Sequence, residues 1–283
     1  MRLRSRFLAS LSLKLMPPAE ERTISYASYD HWRHDSLQSS WDAFDDHWIT
    51  DRDVLDFGCG DGQLSHFLMA KAPRSMTGVD LNSDAIERAS QEAVPHLSFL
   101  VGDADRIPCD DASMDTILAF DCMEHVMQPG EILREWHRVL RPGGRCLIEW
   151  FPFDGPWGPH MESLIPVPWA HYLFGEKAMF EAAAAIYDHA NFVPRHWDLD
   201  ESGNKKPNKW KQWSTFAEQA YVNELDVKTF EDLATGAGFN IDRLQRRSFA
   251  GPKWRQTIGK VLMSTLGEAF VMSAVIELEK PSH

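Results

Sequence analysis

Residues 53–68, with the sequence DVLDFGCGDGQLSHFL, decide the fold of this chain. The first residues form a short apolar run, which is typical of a strand buried on both faces. Glycines then stand at alternate positions, Gly58, Gly60 and Gly62, and an amphipathic pattern after them predicts a helix. Strand, glycine-rich loop and helix together predict the first unit of a nucleotide-binding α/β sheet. The glycines permit positive φ angles and close approach of a ligand to the backbone.

The chemistry of this loop favours a cationic ligand over a pyrophosphate. A dinucleotide fingerprint requires G-x-G-x-x-G, but Gln63 stands where the third glycine should be. Asp56 ends the strand and Asp61 lies inside the loop, and carboxylates repel a phosphate and attract a cation. These features disfavour a nucleotide-binding oxidoreductase. A glycine turn without a ligand is a further alternative, although tight turns rarely use three spaced glycines.

The pattern D-x-G-x-G-x-G resembles motif I of class I S-adenosylmethionine-dependent methyltransferases, with motifs like those of methyltransferase type 11 and of the ubiquinone pathway. The resemblance is strong over residues 50–150 and moderate over residues 224–280. It implies an α/β, Rossmann-like fold with a seven-stranded, mostly parallel sheet, an N-terminal helical cap and an insertion after the fifth strand. It also implies S-adenosyl-L-methionine as the cofactor, its methionine end held by the glycine loop.

Later segments match the same family in order along the chain. Residues 76–80 predict a second strand, and its final acid, Asp80, would accept hydrogen bonds from both ribose hydroxyls. A third strand at 96–101 leads to Asp103, which would bond the adenine amino group unless it only forms a turn. The resemblance therefore assigns the cofactor to Asp56, Gly58, Cys59, Gly60, Gly62, Asp80, Leu81, Asp103, Ala104 and Phe120.

The remaining segments predict the domain organisation. Fourth and fifth strands are predicted at 115–120 and 145–150, with a helix between them that ends before a Pro-Gly-Gly turn. The spacing of Trp41, Phe44 and Trp48 predicts a helix with one buried face. The predicted units are an N-terminal helical cap at 1–50, a cofactor-binding core at 51–150, an acceptor-binding insertion at 151–222 and a C-terminal completion of the sheet at 223–283.

The residues after the fourth strand include side chains that could bind a metal ion. Asp121, Glu124 and His125 read D-x-x-E-H, similar to the E-x-x-E-H with which ubiquinone-pathway O-methyltransferases hold a divalent cation. This chain departs by having Asp first, and the E-H-V sequence is common in methyltransferases without a metal. We therefore predict no metal, with Glu124 and His125 shaping the floor of the pocket.

A histidine is the natural general base near neutral pH. Our first candidate is His160, which follows the fifth strand, and His125 is the second. The alternative for His160 is an ordinary hydrogen-bonded loop histidine. The first half of the insertion is rich in aromatic residues, which predicts a roof over a hydrophobic acceptor or, alternatively, a satellite core. The aromatic residues are Trp150, Phe151, Phe153, Trp157, Trp169, Tyr172 and Phe174.

Composition limits the partners. The net charge of −13 opposes a general nucleic-acid surface, because binding phosphates requires a positive footprint. The four cysteines form no C-x-x-C pair, so reduced thiols in a cytoplasmic protein are expected. The basic and apolar start, MRLRSRFLASLSLKLM, predicts a helix packed on the catalytic domain, with weak peripheral membrane contact as the alternative. The sequence does not indicate an oligomeric state.

The function predicted from these observations is methyl transfer to a small, hydrophobic or aromatic molecule. Oxygen is the favoured acceptor atom, with carbon and nitrogen open. The alternatives are an RNA or protein methyltransferase, or a catalytically silent cofactor-binding partner subunit. The [N/D]-P-P-[Y/F] motif of amino-methyltransferases that act on adenine or glutamine is missing after the fourth strand, where Asp121–Glu124 reads D-C-M-E.

Overall fold

The structure, a computed structural model, describes residues 2–16, 40–200, 202–249 and 252–282. The strands are β1 (Asp53–Phe57), β2 (Ser75–Asp80), β3 (Leu97–Val101), β4 (Met114–Phe120), β5 (Leu140–Trp150), β6 (Asn240–Arg247) and β7 (Ser273–Glu279). The α-helices among the described residues are α1 (Leu3–Leu15), α2 (Gln63–Leu68), α3 (Ser83–Ala89), α4 (Pro129–Val139), α5 (Ala170–Phe174), α6 (Glu176–Tyr187), α7 (Phe216–Gln219), α8 (Val227–Gly236) and α9 (Lys253–Leu266).

The strands form one seven-stranded sheet in the order β3-β2-β1-β4-β5-β7-β6. Strands β1 to β5 pair in parallel, and β7 pairs antiparallel with both β5 and β6. The chain moves outward from β1 through β2 and β3 and then returns to place β4 on the other side of β1. Ligands of open α/β sheets bind at such a switch point, outside the carboxyl ends of the strands. The predicted fold class is confirmed.

The central strands are buried on both faces, and this explains their continuous apolar sequences. One face packs α4 and α8 onto the sheet around Trp136, Trp150 and Phe230, whose side chains are all fully buried. The opposite face buries residues of β1, β4 and α2 around Leu118 and Trp41. Both faces of β4 and β5 are therefore fixed by packing, and the loops after them start from rigid supports.

The insertion after β5 has its own apolar core, and α1 belongs to it. Leu8 of α1 packs with Met179 and Phe180 of α6. The Ser5 hydroxyl also donates to a Glu181 carboxylate oxygen at 2.6 Å. The predicted N-terminal helix is present, but it packs on the insertion rather than on the core sheet.

Several predicted elements differ from the structure in detail. Trp41, Phe44 and Trp48 do not share one helix: the described chain has a helical turn at Trp41, a bend at Phe44 and a 3-10 helix over Asp46–Trp48. The three side chains nevertheless pack in the same cluster, so the predicted buried face is present without the helix. Residues 17–39 of the predicted N-terminal cap lie outside the described residues.

The sequence pattern did not predict α9, which lies between β6 and β7. None of the helices in the described part of the chain has the length and apolar character needed to cross a membrane.

Candidate functional site

The glycine loop after β1 forms the floor of the switch-point crevice. Gly58, Gly60 and Gly62 have φ angles of 73°, 52° and 76°, a region that side chains rarely adopt. A Cβ on Gly62 would lie 2.5 Å from Phe99, whereas a Cβ on Gly60 would meet nothing within 4 Å. Gly62 is therefore required by packing, and Gly60 borders open space that a ligand can approach.

The acid after β2 stands beside this loop, as predicted. One Asp80 carboxylate oxygen accepts from the Gly60 N–H at 2.9 Å, and the other accepts from the Asn82 N–H at 2.8 Å. Asp56 is buried instead, and its carboxylate accepts from the Ser65 hydroxyl at 2.6 Å. Of the two acids, Asp80 therefore lies against the glycine loop, while Asp56 fixes α2 to β1; that Asp80 binds a ribose stays a prediction.

The other predicted cofactor residues differ in their burial. Leu81, Asp103 and Ala104 are exposed in the loops after β2 and β3. Cys59 is buried, and its pKa is raised by that burial and by the nearby carboxylate of Asp56, so its thiol is not reactive. Phe120 is also buried, and its ring packs edge-on against Phe44 at 5.4 Å between centroids.

The turn after β4 touches the glycine loop directly. The Cys122 thiol donates to the Phe57 carbonyl at 3.3 Å, and a Cβ on Gly58 would lie only 2.6 Å from the Cβ of Cys122. Asp121, just before it, has a φ angle of 51°, and its N–H donates to the Glu149 carbonyl. The residues that follow β4 are thus held against the cofactor side of the crevice.

Glu124, His125 and His160 meet at this edge. The His160 Nε2 lies 3.6 Å from a Glu124 carboxylate oxygen, and the His125 and His160 rings are perpendicular at 5.3 Å between centroids. The His125 Nδ1 lies 2.7 Å from the Tyr221 carbonyl, which requires a proton on Nδ1 and leaves Nε2 as the acceptor. The two histidines predicted as catalytic are therefore brought together, although 35 positions of sequence separate them.

Both imidazoles are held neutral. Burial lowers the pKa of His160 to about 4, assisted by the adjacent His125 and opposed by Asp121. Burial also lowers the pKa of His125, against the effect of its bond to the Tyr221 carbonyl. A neutral imidazole has a free lone pair at neutral pH, so these residues can accept a proton or a metal ion.

The donor set of this cluster restricts the metals it could hold. One ligand atom from each of Glu124, His125 and His160 lies within 4.8 Å of the others. Mg²⁺ prefers oxygen ligands, and this set has two nitrogens and one carboxylate, which suits Zn²⁺ or Fe²⁺ better. The D-x-x-E-H set, considered and disfavoured as a metal site on sequence grounds, differs from this cluster, which includes His160 and leaves out Asp121.

Asn223 is a structural residue of the site that the sequence pattern missed. Its side-chain amide donates to the carbonyls of Met123 and Val126, both at 2.7 Å, and its own N–H donates to the Glu124 carbonyl. These bonds fix the turn that carries Glu124 and His125. The sequence carried no distinct signal for it, because Asn223 stands next to Glu224, another polar residue, at the boundary of the insertion.

Most aromatic residues of the insertion have packing partners away from the crevice. Phe153 and Phe174 belong to the core shared with α1, Trp150 packs on Phe230, and the Trp169 indole donates to the Ala269 carbonyl. The half-buried Phe151 and Trp157 lie at the site instead. The Phe151 ring centroid is 5.7 Å from that of His160, and the Trp157 carbonyl accepts from the His160 N–H at 2.8 Å.

Comparison with known proteins agrees with this geometry. A family model described as a methyltransferase domain (Methyltransf_11) matches residues 55–148. A probable S-adenosylmethionine-dependent methyltransferase of Mycolicibacterium smegmatis is 31% identical over 136 residues, which cover 47% of this chain and 51% of that protein. The 27-O-demethylrifamycin SV methyltransferase of Amycolatopsis mediterranei is 32% identical over 100 residues, 34% of this chain and 37% of that protein. The matches thus span about half or less of these relatives.

A solved structure with a similar fold is also a methyltransferase. The crystal structure of an S-adenosylmethionine-dependent methyltransferase from Mesorhizobium loti superposes with a TM-score of 0.52 at 14% identity, covering 87% of this chain and 96% of that one. That likeness concerns the fold, while the matched segment 55–148 contains the glycine loop, Asp80 and the turn after β4. On these grounds residues 55–148 match the methyltransferase domain, and the chain is similar in sequence and fold to S-adenosylmethionine-dependent methyltransferases, whose cofactor is S-adenosyl-L-methionine.

Proposed function

We propose that this chain transfers the methyl group of S-adenosyl-L-methionine to a hydroxyl oxygen of a small, hydrophobic or aromatic molecule. When bound, the cofactor supplies a methyl group that its sulfonium already activates, so the protein has to align the acceptor and remove its proton. The observation that carries the proposal is the contact between the two halves of the site. The turn holding Glu124 and His125 packs on the glycine loop through Cys122, with His160 above it.

His160 is the residue we assign as general base. His160 Nε2 lies 3.6 Å from the buried Glu124 carboxylate, so we assign the proton to Nε2 and the lone pair to Nδ1. Nδ1 would take the proton of the acceptor hydroxyl, and the bound cofactor would supply the methyl group to that oxygen with its electron pair left on sulfur. The proton would therefore end on His160.

Glu124 and His125 are positioning residues in this scheme. Carboxylate bonding orients an imidazole and stabilises the imidazolium that forms. Glu124 is only 2% exposed, so its interaction with a charged His160 is weakly screened by water. His125 is fixed by the Tyr221 carbonyl and limits where the His160 ring can turn.

The acceptor class follows from the surroundings of His160. The Phe151 ring packs edge-on against this histidine, and Trp157 belongs to the same turn through its carbonyl; apolar residues beside the base suit a hydrophobic molecule. The relative from Amycolatopsis has an O-demethylated small molecule in its name, which supports the same acceptor atom. The net charge of −13 counts against an RNA acceptor.

The test is to incubate the purified protein with isotope-labelled S-adenosyl-L-methionine and a panel of phenols, catechols and hydroxylated lipids. We expect the label in an O-methyl product, identified by fragmentation of the product in the mass spectrometer. Labelled carbon or nitrogen would refute oxygen as the acceptor atom. Binding of cofactor without turnover on small molecules, RNA or protein would indicate a silent partner subunit.

A further inference from the structure

Helix α9 presents an apolar stripe to solvent. Trp254, Ile258 and Val261 are 67%, 49% and 55% exposed. They stand at positions i, i+4 and i+7, which lie on one side of an α-helix. Large exposed apolar side chains in a contiguous row are uncommon on a protein that has no partner there.

The charges on α9 all have one sign. Lys253, Arg255 and Lys260 are its charged residues, and residues 253–266 contain no Asp or Glu. Within the described part of the chain, none of these three cations forms an ion pair, and Arg255 lies over the Phe249 ring at 5.6 Å. The chain as a whole has a net charge of −13, so the positive charge of this helix is opposite in sign to that of the protein.

The opposite face of α9 is fixed to the protein. Met263 packs on the main apolar core, and Gly259 is buried against residues 248 and 249. A Cβ on Gly259 would lie 2.3 Å from the Ser248 hydroxyl oxygen, so the helix backbone is held close to that segment. The stripe faces outward because the other side of the helix is occupied.

Charge decides which partner this face fits. A second copy meeting it face to face would bring cations against cations. A nucleic acid would meet the cations with its phosphates but would leave the apolar stripe without a counterpart. An anionic bilayer matches both features, because its headgroups pair with Lys and Arg while Trp, Ile and Val enter the boundary with the acyl chains. We propose that α9 docks this protein on an anionic lipid surface.

The position of α9 relates this docking to the site. The helix joins the end of β6 to the start of β7, where Arg247 pairs with Ser273 and Ala274 pairs with Trp150. Trp150 is the last residue of β5, so α9 leaves the sheet at the edge where the crevice opens. Docking would turn that edge toward the bilayer. The proposal does not depend on methyl transfer, since binding is measured without turnover.

The test is flotation of the full chain with vesicles of phosphatidylcholine, alone or mixed with phosphatidylglycerol. We expect binding to the mixed vesicles only, and weaker binding at high salt. The variants Trp254→Ser/Ile258→Ser/Val261→Ser and Lys253→Glu/Arg255→Glu/Lys260→Glu should each reduce the partition coefficient about tenfold or more. All six side chains are exposed, so both variants should fold and keep the wild-type melting temperature.

Helix α1 provides the matched control. Leu3 and Phe7 are 83% and 60% exposed near Arg2 and Arg4, but Glu181 lies beside them and accepts from the Arg2 N–H. Leu3→Ser/Phe7→Ser should therefore bind vesicles like the wild type. The proposal is overturned if the wild type does not bind mixed vesicles, if the α9 variants bind as well as the wild type, or if only the α1 variant loses binding. It is equally overturned if the α9 variants abolish a dimer or RNA binding while vesicle binding persists.

Discussion

The loop after β1 and the turn after β4 border the same crevice, but they are built in different ways. The first is local: Gly58, Gly60 and Gly62 and the helix after them lie within one short segment, and Asp80 joins them through a single bond to the Gly60 N–H. The second is assembled from distant parts of the chain. His160 comes from the insertion, and Asn223 from beyond it, to meet the turn at Glu124.

This difference separates what the site binds from what it does. In the proposed function, cofactor recognition would depend on backbone conformation and one carboxylate, which a short motif can encode. Proton removal would depend on side chains whose burial sets their charge, and burial comes from the tertiary fold. Substitutions in the loop after β1 should therefore change cofactor affinity, and substitutions at the turn after β4 should change turnover.

The largest effect is expected for His160→Gln. General base catalysis contributes about 10²–10⁴-fold, so turnover should fall by that factor while the affinity for S-adenosylhomocysteine, measured by calorimetry, stays the same. His189→Gln, an exposed histidine outside the site, is the matched control and should keep full activity. Turnover of His160→Gln close to that of the wild type would remove His160 as the base.

The same residue should set the acid limb of the pH–rate profile. The pKa of His160 is lowered to about 4, so the imidazole stays neutral as pH falls below 6.5 and is protonated only near 4. The wild-type rate should therefore fall with pH in that acidic range, and the residual rate of His160→Gln should not show this limb.

The next largest effect is expected for Asp80→Ala, in the other half of the site. Hydrogen bonds to a charged group contribute about 1.5–3 kcal/mol, so the affinity for S-adenosyl-L-methionine should fall by about one to two decades. Glu87→Ala on α3 removes the same charge from an exposed position and serves as the control. Tight binding of NAD by the wild type, with none of S-adenosylhomocysteine, would contradict the assigned cofactor.

A smaller effect should distinguish two glycines of the same loop. Gly62→Ala places a Cβ against Phe99 at 2.5 Å with a positive φ, and overpacking of this kind costs about 1–3 kcal/mol of folding free energy. Gly60→Ala has the positive φ without the clash, so it should cost only about 1 kcal/mol. Urea unfolding measures both, and equal losses would show that packing against Phe99 is not what Gly62 provides.

The smallest effect is expected from a chelator. We predict that EDTA leaves turnover unchanged, because His160 acts as a base in this scheme and its lone pair is not shared with a metal. Loss of activity that Zn²⁺ or Fe²⁺ restores would instead make Glu124, His125 and His160 metal ligands. In that case His160→Gln should also reduce the metal content of the purified protein, measured by elemental mass spectrometry.

The sequence was a good guide wherever the information was local. The strands and the glycine loop followed from apolar runs and from residues with special backbone freedom, and the acid after β2 followed from its place at the end of a strand. The sequence was a poorer guide where the residues that contact each other are far apart in the chain. The helix predicted from Trp41, Phe44 and Trp48 is absent although all three side chains pack together, because burial of a cluster does not require helical geometry.

The aromatic residues of the insertion show the same limit. Their density predicted a pocket, but Phe153 and Phe174 fill a core shared with α1, a helix whose packing side the sequence does not reveal. Phe151 and Trp157 remain at the site, and their role toward an acceptor stays a prediction.

By itself, the sequence determined the class of fold, the glycine loop and the acid beside it, since backbone freedom and strand burial are properties of neighbouring residues. Only the tertiary structure decided that His160 meets Glu124 and His125 and that Asn223 holds their turn. It also decided which face of α9 points outward. These features depend on where separate segments pack and how much water they exclude, and both are set by long-range contacts that no local pattern contains.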